Sequence, residues 1–171
     1  MNIRDLVRMA MYLAIFAVLD YIAVTSGLFA MPQGGTIGLA TIVLVVASYD
    51  FNLKNALFVA MLSVVVQLFI STLYFVAWPQ LFLDYIFAFG IYAFAAKFPT
   101  YKGKTFWLSS GVIVVNVLRF IGHVISGVLY FEVPLLGSIT YNIGYMGATL
   151  VVSFLIVGLL LPRLHLQLKR K

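Results

Sequence analysis

The chain has 171 residues, of which 64% are hydrophobic and only 9% are charged. A water-soluble domain carries about 25% charged residues, so this composition excludes a soluble globule and indicates an integral membrane protein. The chain contains no cysteine, which excludes a disulfide framework, a thiolate metal site and a thiol nucleophile. Because a helical crossing needs ~20 apolar residues, the length allows about six crossings without a separate soluble domain.

The apolar runs, taken in chain order, predict an all-α integral membrane protein with six transmembrane helices. The predicted spans cover roughly residues 6–26, 36–49, 55–73, 81–97, 106–130 and 139–161, so that residues 1–171 form a single transmembrane domain. The runs are continuously apolar and lack the alternation of membrane-barrel strands. The first run is long and no small-residue cleavage site follows it, which favours a retained span over a signal peptide. Span two is short for a full crossing, so it is expected to tilt or to lie in a locally thinned bilayer.

All lysine and arginine residues except Arg119 lie in or beside alternate connections between these spans. They lie before span one, between spans two and three, between spans four and five, and after span six, as Arg4, Arg8, Lys54, Lys97, Lys102, Lys104, Arg163, Lys169, Arg170 and Lys171. The positive-inside rule therefore predicts that both termini are cytoplasmic. The net charge of +6 follows this topology and gives no indication of a nucleic-acid partner. Arg119, inside span five, is the one cation outside the pattern.

Span one carries small residues four positions apart, Ala10 and Ala14, followed by Ala17. Such spacing lets a second helix approach closely, either from this chain or from a partner. Asp20, near the outer end of the same span, is predicted to be a structural partner of another polar group.

Aromatic residues and single carboxylates concentrate in and beside the three outer loops. The first loop is broken by Pro32, Gly34 and Gly35. The aromatic and acidic residues of the region are Tyr74, Trp78, Asp84, Tyr85, Glu132, Tyr141 and Tyr145. One interpretation is an aromatic belt at the membrane interface, with Asp84 as a simple cap of a helix N-terminus. The other is a site for a cationic ligand, in which aromatic faces add cation–π attraction. On the residues alone, the two interpretations have equal weight.

Span five places Asn116, Arg119, His123 and Ser126 at spacings of three and four, on one helical face. A charge near the middle of a span is costly unless it faces a polar interior. This face is therefore predicted to point into the protein and away from lipid.

Four motifs, in the same order and spread over most of the chain, resemble those of the thiamine-specific S components of energy-coupling factor (ECF) vitamin transporters. They are the segment from Met31 to Gly35, the segment from Tyr74 to Tyr85, the group Arg119, Phe120, His123, Ser126 and Gly127, and the group Tyr141, Asn142, Tyr145 and Met146. The resemblance implies a six-helix, non-enzymatic substrate-capture subunit in the plasma membrane of a prokaryote. It also implies a thiamine pocket near the outer face, closed by the first loop.

The resemblance assigns individual residues to this pocket. Asp84 matches a carboxylate that contacts the cationic ligand, and Tyr74 and Asn142 match residues that line the pocket. The full candidate ligand-binding set is Asp84, His123, Tyr74, Asn142, Tyr85, Tyr141, Tyr145, Phe131, Gly34 and Gly35. Because a pocket for a cation would repel Arg119, that residue is expected to be a structural charge paired with Asp20 or Asp84. If Arg119 neutralised Asp84, the pocket would prefer a neutral ligand.

The resemblance also implies partners. An Ala-x-x-x-Ala motif in the first helix of these subunits contacts a shared transmembrane coupling subunit, and Ala10, Ala14 and Ala17 are expected to do so here. The segment from Lys102 to Thr105 lacks the upstream glycine, the strand and the helix of a phosphate-binding loop. ATP hydrolysis is therefore expected in two separate ATPase subunits. No catalytic residue, metal site or cofactor is predicted, and thiamine is the expected ligand.

The tryptophan content keeps other ligands and roles open. The family often has more tryptophan in its pocket, whereas this chain has only Trp78 and Trp107. A different vitamin or a thiamine precursor is therefore an alternative ligand. A structural membrane subunit that binds no ligand is an alternative role.

Overall fold

The computed structural model describes residues 3–27, 30–32, 35–70 and 76–168, except for the side chains of residues 165–168. Within these ranges the chain forms six helices: α1 (Ile3–Ser26), α2 (Thr41–Asp50), α3 (Leu53–Ile70), α4 (Trp78–Lys97), α5 (Ser110–Tyr130) and α6 (Leu135–Leu168). One helix overlaps each of the six predicted spans. All of them except α2 are long and apolar enough to cross a bilayer.

α2 is a short helix of ten residues that rises about 15 Å, half of the ~30 Å hydrocarbon core of a bilayer. Span two is predicted from residue 36, whereas the helix begins at Thr41. Thr41 Oγ1 donates a hydrogen bond to the Gly38 carbonyl (2.6 Å), and the Gly38 N–H donates to Thr149 Oγ1 in α6 (2.8 Å). The Thr41 N–H also donates to the Gly38 carbonyl (3.0 Å), so the backbone before α2 forms a turn that is held by both backbone and side-chain bonds.

A short antiparallel pair of strands connects α4 to α5. β1 (Thr100–Lys102) pairs with β2 (Trp107–Ser109), with Lys102 opposite Trp107. The all-α prediction holds for the bulk of the chain but misses this pair, because the apolar run from residue 106 predicts helix where β2 forms. Aromatic residues favour strands, and Lys102 Nζ lies 5.1 Å from the Trp107 ring centroid, where it supports the cross-strand pairing.

α2 lies at the centre of the helix packing. All side chains from Thr41 to Ser48 are buried, and the helix contacts α1, α3, α4 and α6. α5 packs along α6, and α1 packs along α3. Apolar side chains that remain exposed on α1, such as Val7 and Met11, are placed to contact lipid or another membrane helix.

Candidate functional site

A cavity of about 460 Å³ lies between the helices, within the range of ~300–1,000 Å³ that is typical of small-molecule sites. All six helices contribute side chains to its wall. Eight of the ten candidate residues line it, namely Gly35, Asp84, Tyr85, His123, Phe131, Tyr141, Asn142 and Tyr145. The other two, Gly34 and Tyr74, lie outside the described residues.

α4 changes its winding where it meets the cavity. The helix starts as an α-helix over Trp78–Leu81, becomes a π-helix over Phe82–Phe87 and ends as a 3-10 helix over Ile91–Lys97. π-helical turns are rare and occur frequently at functional sites. The wider turn carries Asp84 and Tyr85, and both of these neighbouring residues line the cavity.

The Asp84 carboxylate is held by neutral hydrogen-bond donors. Gln80 Nε2 donates to its Oδ2 (2.6 Å), and Ser126 Oγ in α5 donates to the same oxygen (2.7 Å). Its Oδ1 lies 2.9 Å from His123 Nδ1 but has no aligned hydrogen-bond donor among the described residues. The carboxylate is thus fixed in the cavity wall by Gln80 and Ser126 through one oxygen, with His123 against the other.

The hydrogen bonds around His123 assign a neutral imidazole. Arg119 Nε always carries a proton and donates it to His123 Nε2 (3.3 Å), so Nε2 has no proton of its own. The single ring proton is then on Nδ1, on the side of Asp84. The contact between His123 and Asp84 therefore joins a neutral ring to a carboxylate and does not cancel the negative charge.

Arg119 does not form the ion pair that the sequence predicts. In the described part of the chain, neither Asp20 nor Asp84 is within salt-bridge distance of its guanidinium. The guanidinium donates instead to Tyr92 Oη (3.2 Å) and lies 5.6 and 5.8 Å from the ring centroids of Phe89 and Tyr92. A guanidinium suits this place because it is planar, weakly hydrated and stacks on aromatic faces. Its charge is accommodated by rings and neutral acceptors.

α6 supplies a wall of aromatic and amide side chains. Tyr145 Oη donates to Asn142 Oδ1 (2.7 Å), and Asn142 Nδ2 donates to the Ser138 carbonyl one turn earlier (2.9 Å). The Tyr141 and Tyr145 rings meet edge to face, with centroids 6.2 Å apart. Gly35 packs so closely on the Tyr145 ring that a Cβ atom at position 35 would lie 2.8 Å from a ring carbon. The segment between α1 and α2 therefore rests directly on this wall.

Asp20 reaches the cavity from α1. It is only 7% exposed, and its Oδ1 accepts a long hydrogen bond from Gln67 Nε2 in α3 (3.5 Å). Both side chains line the cavity. The sequence predicts Asp20 as a structural partner of another polar group, and in the structure it accepts from Gln67 and also lies on the wall of the cavity.

Several polar residues at the site are absent from the candidate set, among them Gln67, Gln80 and Ser126. Gln80 is fully buried, and besides its bond to Asp84 its Oε1 accepts from the Val76 N–H (2.8 Å). Signals for all three exist in the sequence, since Gln80 lies one turn before Asp84, Ser126 is on the polar face of α5, and Gln67 interrupts an apolar run. No group of three or more His, Asp or Glu side chains that could hold a metal ion comes together in the described ranges.

Two comparisons with known proteins bear on this cavity. The sequence profile of the family described as "Thiamine transporter protein (Thia_YuaJ)" matches residues 6–169. The chain is 31% identical over 180 residues to "Thiamine transporter ThiT" of Bacillus subtilis (strain 168), and the match covers 93% of this chain and 92% of that protein. Together with the apolar helices, these matches identify a multi-pass protein of a bacterial cell membrane and confirm the resemblance of the four motifs. The chain belongs to the thiamine transporter family Thia_YuaJ.

Proposed function

We propose that this chain is the substrate-capture S component of an ECF vitamin transporter and that its cavity binds thiamine. Membership of the thiamine transporter family and the similarity to ThiT of Bacillus subtilis support this ligand. In the proposed topology, residues 1–171 form one transmembrane domain with six crossings and two cytoplasmic termini. The alternating distribution of lysine and arginine supports this orientation.

The environment of Asp84 is the observation that carries the proposal. Thiamine contains a permanently cationic thiazolium ring, which has no N–H group and is therefore attracted by charge and not by hydrogen bonding. A carboxylate that accepts hydrogen bonds from Gln80 and Ser126 and touches a neutral His123 keeps its charge available for such a ring. Tyr85, on the same wall, adds an aromatic surface that attracts a cation further.

Arg119 has a supporting role in this proposal. Its positive charge would repel the ligand if the guanidinium reached freely into the cavity. The hydrogen bond to Tyr92 and the stacking on Phe89 hold it against the wall. Its Nε also fixes the tautomer of His123. Arg119 is thus a structural charge that keeps the imidazole neutral.

The segment between α1 and α2 is the proposed lid of the site. Gly35 lies against Tyr145, and the Met31 N–H donates to the Gly35 carbonyl (2.7 Å), so this segment folds back on itself beside the cavity. Thiamine enters when the segment leaves α6 and is enclosed when the contact forms again. Gly34 and Tyr74 are assigned to the same site on the resemblance of their motifs.

The exposed side of α1 is the proposed contact for a transmembrane coupling subunit. Ala10 and Ala14 are exposed, and Ala17 is half-buried. Small side chains four residues apart on an open helix face let a second helix approach closely. Two separate ATPase subunits then drive the reorientation of this chain and the release of thiamine inside the cell.

Calorimetric titration of the purified chain with thiamine tests the ligand. We expect saturable binding of one thiamine per chain. Trp78 is exposed on the surface and Trp107 belongs to β2, so heat is a more direct signal than tryptophan fluorescence. Absence of binding up to millimolar thiamine would refute this ligand. Native mass spectrometry would then show whether a different vitamin or a precursor co-purifies.

A further inference from the structure

Asp20 places a second carboxylate on the wall of the cavity. Asp20 and Val24 lie one turn apart on α1 and both line the cavity, so this face of the helix points into it. The donors to Asp84 come from α4 and α5. The two carboxylates are therefore held independently of each other.

The Asp20 carboxylate has an unmet capacity to accept a hydrogen bond. Its Oδ1 accepts the long bond from Gln67, whereas its buried Oδ2 has no hydrogen-bond partner among the described residues. In the same ranges, no lysine or arginine lies within salt-bridge distance of it. A buried polar atom without a partner is costly. A ligand that brings an N–H donor to this oxygen supplies the hydrogen bond that the described protein groups do not make.

We propose that Asp20 is a second ligand contact, whose Oδ2 accepts a hydrogen bond from the amine of the aminopyrimidine ring of thiamine. The assignment rests on the proposed function for the identity of the ligand. Thiamine offers two different groups to an anion: the thiazolium carries charge without an N–H, and the aminopyrimidine carries N–H donors without a permanent charge. Asp84, whose Oδ2 already accepts two hydrogen bonds, suits the first group. Asp20, whose buried Oδ2 has no hydrogen-bond partner among the described residues, suits the second.

The charges on the wall support the presence of both carboxylates in one site. Asp20 and Asp84 carry carboxyl groups, Arg119 is positive and His123 is neutral by its hydrogen bonds, and all four line the cavity. With both carboxyl groups ionised, these side chains carry one net negative charge, which a single thiazolium neutralises. Removing either carboxylate would leave the positive charge of the ligand without an equal negative charge on the cavity wall.

A comparison of two ligands on two proteins tests the contact. The ligands are thiamine and an analogue with an oxo group in place of the pyrimidine amine, both of which keep the thiazolium for Asp84. We expect the wild-type chain to prefer thiamine by about ten- to hundredfold, the usual range for a hydrogen bond to a charged group. In Asp20→Asn we expect the preference to fall below about threefold, because the amide can donate an N–H to the oxo group. Calorimetry on the full-length chain gives all four affinities.

Asp5→Asn is the matched control, since it makes the same charge change on the same helix at a partly exposed position beside Arg8. We expect it to keep the wild-type preference. Asp20→Ser removes the carboxylate with a smaller side chain and is expected to lose the preference as Asp20→Asn does, which covers the case that one variant does not fold. An unchanged preference in a folded Asp20 variant overturns this contact alone. A wild-type chain that binds neither ligand overturns the proposed function together with it.

Discussion

Asp84, His123 and Arg119 form a series of contacts in which each group orients the next. Arg119 Nε donates to His123 Nε2, which places the imidazole proton on the side of Asp84. Polar groups that are oriented in this way inside a protein act more strongly than the same groups in water, because the local dielectric is low. Within the described ranges, the series holds the Asp84 carboxylate without a lysine or arginine in salt-bridge distance.

The first prediction concerns the charge of Asp84. Asp84→Asn keeps the size of the side chain and an oxygen that can accept from Gln80 and Ser126, but it removes the charge. We expect thiamine affinity to fall by about 2 kcal/mol or more, which is about thirtyfold in Kd. Calorimetry measures the change. An analogue with a neutral ring in place of the thiazolium is the control and should lose less than about threefold. Equal losses for both ligands would contradict a charge interaction at Asp84.

The polar face of α5 shows how much helical spacing can predict. Asn116 and Ser126 are buried, and Arg119 and His123 line the cavity, as the spacing of three and four indicates. The partner of Arg119 could not be predicted in the same way. Spacing fixes the face of one helix, but the group opposite depends on how the helices pack. Aromatic rings of α4 satisfy the guanidinium where the sequence suggests a carboxylate.

At the scale of the elements, Gln80 joins the start of α4 to the ligand site. Its Oε1 accepts from the Val76 N–H and its Nε2 donates to Asp84 Oδ2. Gln80→Met keeps the length of the side chain and removes both bonds, so we expect a loss of about 1–3 kcal/mol of stability. A lower unfolding temperature in detergent, together with weaker thiamine binding, would report this loss. An unchanged unfolding temperature would show that the two bonds contribute nothing to the fold.

The contact between the α1–α2 segment and α6 gives a third prediction. In Gly35→Ala the new Cβ atom would overlap the Tyr145 ring, and overpacking of this kind costs about 1–3 kcal/mol. We expect thiamine to dissociate faster while the helical content stays the same, as stopped-flow binding and circular dichroism would measure. Gly144→Ala is the matched control, since its Cβ atom meets no other atom within 4 Å. If both variants released thiamine at the wild-type rate, the lid would not rest on Tyr145.

Hydropathy predicts where the helices lie, but it does not predict their exact starts or their internal winding. It predicts one helix for each span because lipid leaves a helix as the simplest way to satisfy the backbone. It does not predict the start of α2 at Thr41, where a side chain of α6 accepts the Gly38 N–H from another part of the chain. Nor does it predict the π-helical stretch Phe82–Phe87. These features depend on tertiary contacts that a sliding window of apolar residues does not contain.

At the scale of the whole molecule, the exposed face of α1 gives a fourth prediction. Ala10→Trp puts a bulky side chain on the surface proposed to meet the coupling subunit. We expect co-purification with that subunit to fall at least about tenfold, a loss of ~1.4 kcal/mol, while thiamine binding by the isolated chain is unchanged. Val151→Trp, at an exposed position on α6, is the control and should assemble normally. Normal assembly of Ala10→Trp would exclude this face as the contact.

The assembly of the site is the part of the molecule that the sequence predicts least. All eight described candidates line one cavity, but the motifs that identify them give no distances. Asp20 and Gln67 come from α1 and α3, and their meeting at the cavity depends on how those two helices pack. A motif search identifies residues that match a known sequence pattern. Asp20 and Gln67 belong to no such pattern and lie in separate helices, so their contact can be found only from the structure.

The ten-residue length of α2 has a consequence for the hydrogen bonds of the backbone before it. The helix rises over only about half of the bilayer core, so in the proposed topology residues 35–40 would complete the crossing as a non-helical segment. Irregular backbone is tolerated at that depth only where it is buried in protein or borders water, and Gly35 and Gly38 border the cavity. The Gly38 N–H donates to Thr149 Oγ1, and the Gly35 carbonyl accepts from the Met31 N–H. These two backbone groups have partners within the protein, so a ligand in the cavity is not needed to satisfy them.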